Sequence, residues 1–258
     1  LSATRALEGC RVVHASGIEI VEAPRALRAF PERVSTSLGV CLKRGPAHRV
    51  ISDGARRDYP EDAICVRAPG CVWASDPSDV AFVSIDVDPA LLDDAIEYAP
   101  MTFHDTLPEL HDAITRVSAC PFDTALREES IALLLEGLRA RSALRFGRAR
   151  RTRDDAVARA LAHLDATLDR NVALDELAHL ARSDKFVLVR RFRREIGTTP
   201  HAYHLRVRIE RARAALASGT GALEVAMSLG FADQSHFGRH FRRIVGVTPA
   251  AYARGTTR

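Results

Sequence analysis

The apolar positions of the chain change period near residue 90, and that change divides it. Up to Val87 they come in short runs rich in Val, Ile and aromatic residues: VVHASGIEIVEA, VSTSLGVCL, HRVISDG, DAICVRA, CVWAS and VAFVSIDV. Gly45-Pro46, Asp53-Gly54, Pro69-Gly70 and Asp76-Pro77 punctuate the runs, as expected where a chain reverses between strands. The pattern predicts an all-β sandwich or small barrel. After Pro89 helical spacing takes over in PALLDDAIEY and LPELHDAITRV. It is stronger from Asp123 to Arg145, where Leu126, Ile131, Leu134, Leu135 and Leu138 share one broad face. Arg145 to Asp155 (RFGRARRTRDD) has no apolar period and reads as a linker. Thr152 and Asp155 then resemble a helix N-cap pair ahead of the stripe Val157, Leu161, Leu164 and Leu168. Beyond that stripe, helices are expected, broken at Gly197, Pro200, Gly219, Gly246 and Pro249.

Within this helical part a pattern repeats after 49 residues. Arg190-Arg191-Phe192-Arg193-Arg194-Glu195-Ile196-Gly197-Thr198-Thr199-Pro200, followed by Tyr203, is matched by Arg239-His240-Phe241-Arg242-Arg243-Ile244-Val245-Gly246-Val247-Thr248-Pro249, followed by Tyr252. A short helical segment precedes each copy, LDELAHLARS and ALEVAMSLGF, with Ala178 and Ala226 as small residues that allow close helix packing. Leu188 with Phe192, and Phe237 with Phe241, are i, i+4 pairs that predict an apolar back. Arginines fill the opposite face. An apolar back and an Arg-rich front are what a helix needs to lie in the major groove of DNA and hold flanking phosphates. One such helix is more often a solvated basic face; two at fixed spacing, with matching Gly-x-Thr-Pro exits, point to DNA. Tyr203 to Ser218 between them has no Gly or Pro and predicts a rigid helix of ~24 Å. That length suits two reading helices about one DNA turn, ~34 Å, apart.

Charge sharpens this division. From residue 151 onward there are nineteen Arg or Lys against eleven Asp or Glu, whereas the first 150 residues carry eighteen against twenty-two. A basic back half joined to an acidic front half points to a polyanion partner for the back half. The five cysteines, Cys10, Cys41, Cys65, Cys71 and Cys120, are scattered without a C-x-x-C pair, so neither a disulfide framework nor a zinc site is expected. No apolar run spans a bilayer and no basic-apolar leader opens the chain, so a cytoplasmic location without membrane contact is expected. The chain opens with Leu1 rather than Met, so a few preceding residues are expected.

Residues 154–252 resemble the DNA-binding domain of the AraC/XylS family of bacterial transcription regulators, most closely in LGFADQSHFGRHFRRIVGVTPAAY. The resemblance implies seven helices, with helix-turn-helix motifs at about 174–197 and 222–246 inserted in successive major grooves. Carried over position by position, it implies base reading by Phe186, Val189 and Arg190 from the first motif and by Gln234, His236 and Arg239 from the second. Arg can pair bidentately with guanine and Gln with adenine, while apolar side chains touch thymine methyls. Arg193, Arg194, Arg242 and Arg243 are cast as phosphate contacts, with Arg206 and Arg208 on the connecting helix as weaker candidates. The first motif departs from the pattern: Arg182 stands where a turn Gly is expected, and Ser183 where an apolar residue is usual.

The front part, 1–148, fits the N-terminal region such proteins often carry, a cupin-like β-barrel that binds an effector followed by helices that dimerise. The division expected is therefore 1–148 and 149–258, an α+β two-domain chain. DYPEDAICVRAPGCVWAS resembles the family's β-turn-β stretch, with Trp73 in place of a metal-binding His. No metal or cofactor is expected, and His14, His48, His104 and His111 read as isolated side chains. Trp73, Phe82 and Val83 are the expected wall of a pocket for an apolar or aromatic effector, with a filled core as the alternative. Promoter DNA and RNA polymerase are the expected partners, a homodimer the expected assembly, and activation the expected mode. The competing class is an enzyme or sensor module targeted to DNA by its tail. The zinc-bound Cys cluster of a repair methyl acceptor is missing, as are the nucleophile elbow and α/β alternation of a hydrolase, so no catalysis is expected.

Overall fold

The computed structural model describes residues 7, 9–15, 17–91, 101–104, 108–119, 124–140 and 154–254. The expected helix beyond Leu91, Thr152 and most of the expected linker lie outside the described residues.

Among the described residues eight antiparallel strands form one sheet: β1 (Arg11–Ala15), β2 (Ile18–Val34), β3 (Leu38–Arg44), β4 (His48–Ser52), β5 (Ala55–Tyr59), β6 (Ile64–Arg67), β7 (Val72–Val87) and β8 (Met101–His104). Their order is β1-β2-β7-β3-β6-β8, with the β4–β5 hairpin attached to β7. The path is open, with β1 and β8 at its ends, so the expected cupin-like barrel is corrected to an unclosed sheet. Two long strands explain why the pairing looks fragmented in sequence. The seventeen-residue β2 shifts register between Ala23 and Ala26 and again between Phe30 and Arg33. Pro24 and Pro31 fall within those shifts, where a ladder hydrogen bond is already lost. β7 likewise runs through Asp76-Pro77, expected as a break, and serves β4 with its first half and β3 with its second. The Asp53-Gly54 turn is a two-residue hairpin with both φ angles positive (50° and 78°), the twist that suits adjacent strands.

Side-chain alternation gives the sheet two different faces. Val40, Leu42, Ile64 and Ile85 point to one side, where α1 (Pro108–Ala119) and α2 (Thr124–Ala140) cover them with Leu110, Ile114, Val117 and Leu134. Cys41, Cys65, Val80 and Phe82 point to the other, which continues into the core of the C-terminal helices. Val83 neighbours Phe82 and therefore packs on the α1–α2 side. The expected pocket wall of Trp73, Phe82 and Val83 is thus corrected: a one-residue step along a strand reverses the face.

Seven helices follow among the described residues: α3 (Asp155–Ala166), α4 (Leu174–Ala181), α5 (Lys185–Ile196), α6 (Pro200–Ala217), α7 (Ala222–Ser228), α8 (Gln234–Val245) and α9 (Pro249–Ala253). The cap of α3 is Asp154, whose carboxylate accepts from the Ala156 and Val157 amides at 3.0 and 3.4 Å, so the expected Thr152–Asp155 pair is shifted. α6, the expected connector, is buried along most of its length through Tyr203, Val207, Ile209, Ala212 and Leu216. It is the spine on which both repeats pack.

Candidate nucleic-acid interface and the pocket beneath it

The repeat is also a repeat of local physics. α5 begins at Asp184, which accepts from the Phe186 and Val187 amides at 2.9 and 3.1 Å; α8 begins at Asp233, which accepts from the His236 amide at 2.6 Å. Both helices end on a left-handed glycine, Gly197 (φ 86°) and Gly246 (φ 99°). Thr199 and Thr248 then cap α6 and α9 through their hydroxyls, each followed by a proline in the first turn, where its missing N–H costs nothing. Leu188, Phe192 and Ile196 on α5, and Phe237, Phe241 and Ile244 on α8, are buried. Their burial turns Arg190, Arg193 and Arg194, and Gln234, Arg239, Arg242 and Arg243, outward into solvent.

Not every expected DNA residue shares that surface. Phe186 is 73% exposed, an apolar ring held at the start of α5 with the Lys185 ammonium 5.8 Å from its centroid. Val189 is half-buried. Arg208 is 3% exposed: its guanidinium donates to the Asn171 side chain at 2.9 Å and lies 4.2 Å over the Phe231 ring. Arg206 turns to the N-terminal region, donating to the Glu32 carbonyl at 2.7 Å and pairing with its carboxylate at 2.9 Å. Both weaker phosphate candidates therefore point away from the arginine face.

His236 belongs to a chain of hydrogen bonds. The Arg243 guanidinium, which can only donate, lies 3.0 Å from His240 Nδ1, so this nitrogen accepts and the proton of neutral His240 sits on Nε2. That Nε2–H faces His236 Nε2 at 3.0 Å, leaving the His236 proton on a buried Nδ1 without a partner. Burial pushes the His240 imidazole down to about 4, helped by Arg243 and His236. A histidine lowered from 6.5 contributes stability that is present above that value and is lost as pH falls through the folded value. The difference in melting temperature between His240→Gln and the wild type should therefore move in favour of the variant from pH 6.5 to 4; a constant difference would contradict this reading.

The two turns differ as the sequence suggests. Arg182 takes the left-handed conformation (φ 51°, ψ 48°) expected of a glycine, its side chain exposed to solvent. The turn is kept: the Arg182 and Ser183 amides donate to His179 and Ala178 carbonyls, both at 3.0 Å.

Beneath the helices, the pocket face of the sheet meets α6 around a cavity of about 70 Å³. Phe30 packs against Trp73 and Phe82 at ring distances of 5.4 and 5.5 Å. Two cations lie near the Trp73 ring, Arg67 at 4.8 Å and Arg33 at 5.9 Å from its centroid. Arg67 donates to Ser84 at 3.0 Å and pairs with Asp86 at 3.5 Å, while its buried Nε has no hydrogen-bond partner. The sequence reading missed the residues at the rim. Arg33 clamps Glu210 of α6 with three contacts of 3.0–3.2 Å, and Arg213 joins Glu210 to Glu19 of β2. All four side chains are nearly buried. Glu210 stands among arginines on α6, and that isolation is the one signal the sequence held.

Two helix-turn-helix units sharing one spine helix define a bipartite DNA-binding module, and a family model described as a helix-turn-helix domain matches residues 177–255. The uncharacterized HTH-type transcriptional regulator YbfI of Bacillus subtilis is 34% identical over 133 residues, 51% of this chain and 46% of that protein. MtrA, an HTH-type transcriptional regulator of Neisseria gonorrhoeae, is 33% identical over 66 residues, 25% of this chain and 22% of its own. The chain spans less than half the length of these curated relatives. Wild-type ToxT from Vibrio cholerae strain SCE256, with unsaturated fatty acid bound, aligns at TM-score 0.62 and 11% identity over 95% of this chain and 97% of that one. At that identity the likeness concerns the fold, which it shares from sheet to helices. These likenesses support the resemblance of the C-terminal helices to the AraC/XylS family of transcription regulators.

Proposed function

We propose that this chain is a sequence-specific DNA-binding activator, divided at 148/149 into an effector-binding and dimerising front domain and a DNA-binding back domain. The carrying observation is the doubled, outward-facing basic helix with a buried apolar back. In this reading Gln234 and Arg239, with Arg190, Val189 and Phe186, read bases, while Arg193, Arg194, Arg242 and Arg243 hold phosphates. His236 reads only after its ring leaves His240. Promoter DNA and RNA polymerase are the partners, and a homodimer uses the outer side of α2, where Leu133 is 47% exposed. In the test, Arg239→Ala relaxes base preference at one operator position, at about 1–3 kcal/mol. Arg242→Ala weakens binding to all sequences and lowers the salt slope by about one unit. Competition binding with specific and random duplexes over a salt series separates the two; equal loss on both duplexes for Arg239→Ala would remove its reading role.

The effector reading rests on the pocket. Its wall is largely apolar and aromatic, and the cations Arg33, Lys43, Arg67 and Arg213 also line it. A small apolar or aromatic acid suits that combination. ToxT is described with an unsaturated fatty acid and with (E)-4-(8-methylnaphthalen-1-yl)but-3-enoic acid bound, both carboxylic acids on apolar bodies. Soluble control of DNA binding by such an acid, with no chemical turnover, is the function this arrangement supports.

A further inference from the structure

The pocket is small for a site of that kind. A cavity of about 70 Å³ holds little more than a few water molecules, whereas small-molecule sites run to roughly 300–1,000 Å³. Next to it, between sheet and α6, lies a cleft of about 390 Å³ lined by His14, Glu19, Asp88 and Ala217. The two spaces share four residues: Ser37, Asp86, Glu210 and Arg213. Two of them are anchored on the sheet. The other two, Glu210 and Arg213, come from the spine helix of the DNA-binding domain and form a partition across the opening.

Glu210 is also a carboxylate already seated on the pocket's cation. It accepts from Arg33 Nε and Nη2 at 3.1 and 3.0 Å through one oxygen and from Nη2 at 3.2 Å through the other, a two-oxygen engagement of the kind an acid ligand would make. The same pair fastens the front domain to α6, so whatever takes Arg33 from Glu210 loosens the two domains.

We propose that Glu210 is an internal stand-in for the ligand's carboxylate: an entering apolar acid displaces it from Arg33, joins pocket to cleft, and releases α6 from the front domain. This rests on the effector reading above and adds how that site is regulated. The joined space falls within the size range of small-molecule sites. The exchange keeps Arg33 paired, so no buried cation is left alone, which is the costly outcome in such interiors. Burial pushes the Glu210 carboxyl up, with Arg33 opposing, so the displaced carboxylate regains hydration as it swings towards the cleft. The domains remain joined by Arg213–Glu19, by Arg206–Glu32 and by the close approach of Gly54 to Gly197, so release of Glu210 loosens the interface without separating it.

The experiment uses the full chain with dodecanoate and dodecanol as probes, titrated calorimetrically, and backbone hydrogen exchange across 206–217. Glu210→Gln removes the competing charge while keeping shape. It should bind dodecanoate at least about tenfold more tightly than wild type, with dodecanol unchanged, and its α6 amides should exchange faster without ligand. The swapped pair, Arg33→Glu with Glu210→Arg, restores the interdomain bond but leaves an anion on the pocket wall; it should keep slow exchange and lose dodecanoate binding, which guards against a fold defect in the single variant. Equal dodecanoate affinity in wild type and Glu210→Gln overturns the gate while leaving the pocket as an effector site. No binding of either probe to any form overturns both the gate and the effector reading.

Discussion

Gly230→Ala is expected to abolish DNA binding by collapsing the second helix-turn-helix rather than by altering its surface. Gly230 sits between α7 and α8 with φ +64°, and a Cβ there would lie 2.3 Å from the Asp169 carbonyl oxygen and 2.6 Å from the Arg170 amide nitrogen. Both are backbone atoms, so no rotamer change relieves the overlap. Left-handed backbone costs about 1–2 kcal/mol for a residue with a Cβ, and forced overpacking about 1–3 kcal/mol more. That sum consumes a large part of a typical domain's 5–15 kcal/mol. Chemical denaturation of the full chain, followed by α-helical circular dichroism, should show an early transition for the C-terminal helices. A midpoint within error of wild type would mean that the α3–α4 loop moves aside at little cost. Arg182 makes the comparison instructive. It carries the same backbone conformation in the first motif, but its side chain is exposed to solvent, so only the conformational cost remains.

Phe241→Ala is expected to destabilise the same motif by about 3–5 kcal/mol. The ring is fully buried and makes edge-to-face contacts with Phe237 at 5.4 Å and Tyr252 at 5.5 Å. It ties the recognition helix α8 to α9, and Tyr252 in turn lies against Arg213 and His14. Loss of the ring leaves a cavity where the second motif meets both the spine helix and the sheet. The measurement is thermal unfolding together with operator affinity. Affinity should fall with stability and recover in part on cooling towards the temperature of maximum stability. Unchanged unfolding with lost affinity would instead place Phe241 in direct recognition.

The DNA-binding half was legible because its constraints are local. The glycine exits, the Thr-Pro starts and the i, i+4 apolar pairs are each set within a few residues, and their repetition after 49 residues exposes them. The structure places the glycine exits, the Thr-Pro starts and the apolar pairs where the period put them, whereas the one expected cap pair, Thr152–Asp155, gave way to Asp154, and the Asp184 and Asp233 caps went unread. Where reading was carried by analogy along a helix, it failed for a physical reason. Arg206 and Arg208 are arginines on a basic helix, yet α6 is enclosed, so one is turned onto Glu32 and the other onto Asn171 and Phe231.

The front half shows the opposite balance. Its strand character was readable, but β5 (ARRDY) escaped because it has no apolar alternation, and β8 (MTFH) because its alternation runs for only four residues among segments of helical spacing. Asp76-Pro77 reads as a break, but the strand continues because β7 changes partner there. The pocket wall of Trp73, Phe82 and Val83 came out with one member on the wrong face, since a strand's facing depends on register with its neighbours.

What the sequence determined by itself, then, is a helical bipartite module with its arginines in front, because short-range chemistry decides caps, turns and helix faces. What only the tertiary structure decided is the open sheet, the direction of Val83 and the meeting of Arg33 with Glu210. Those residues lie 177 positions apart, and no local preference of either could announce the pair that fastens one half to the other.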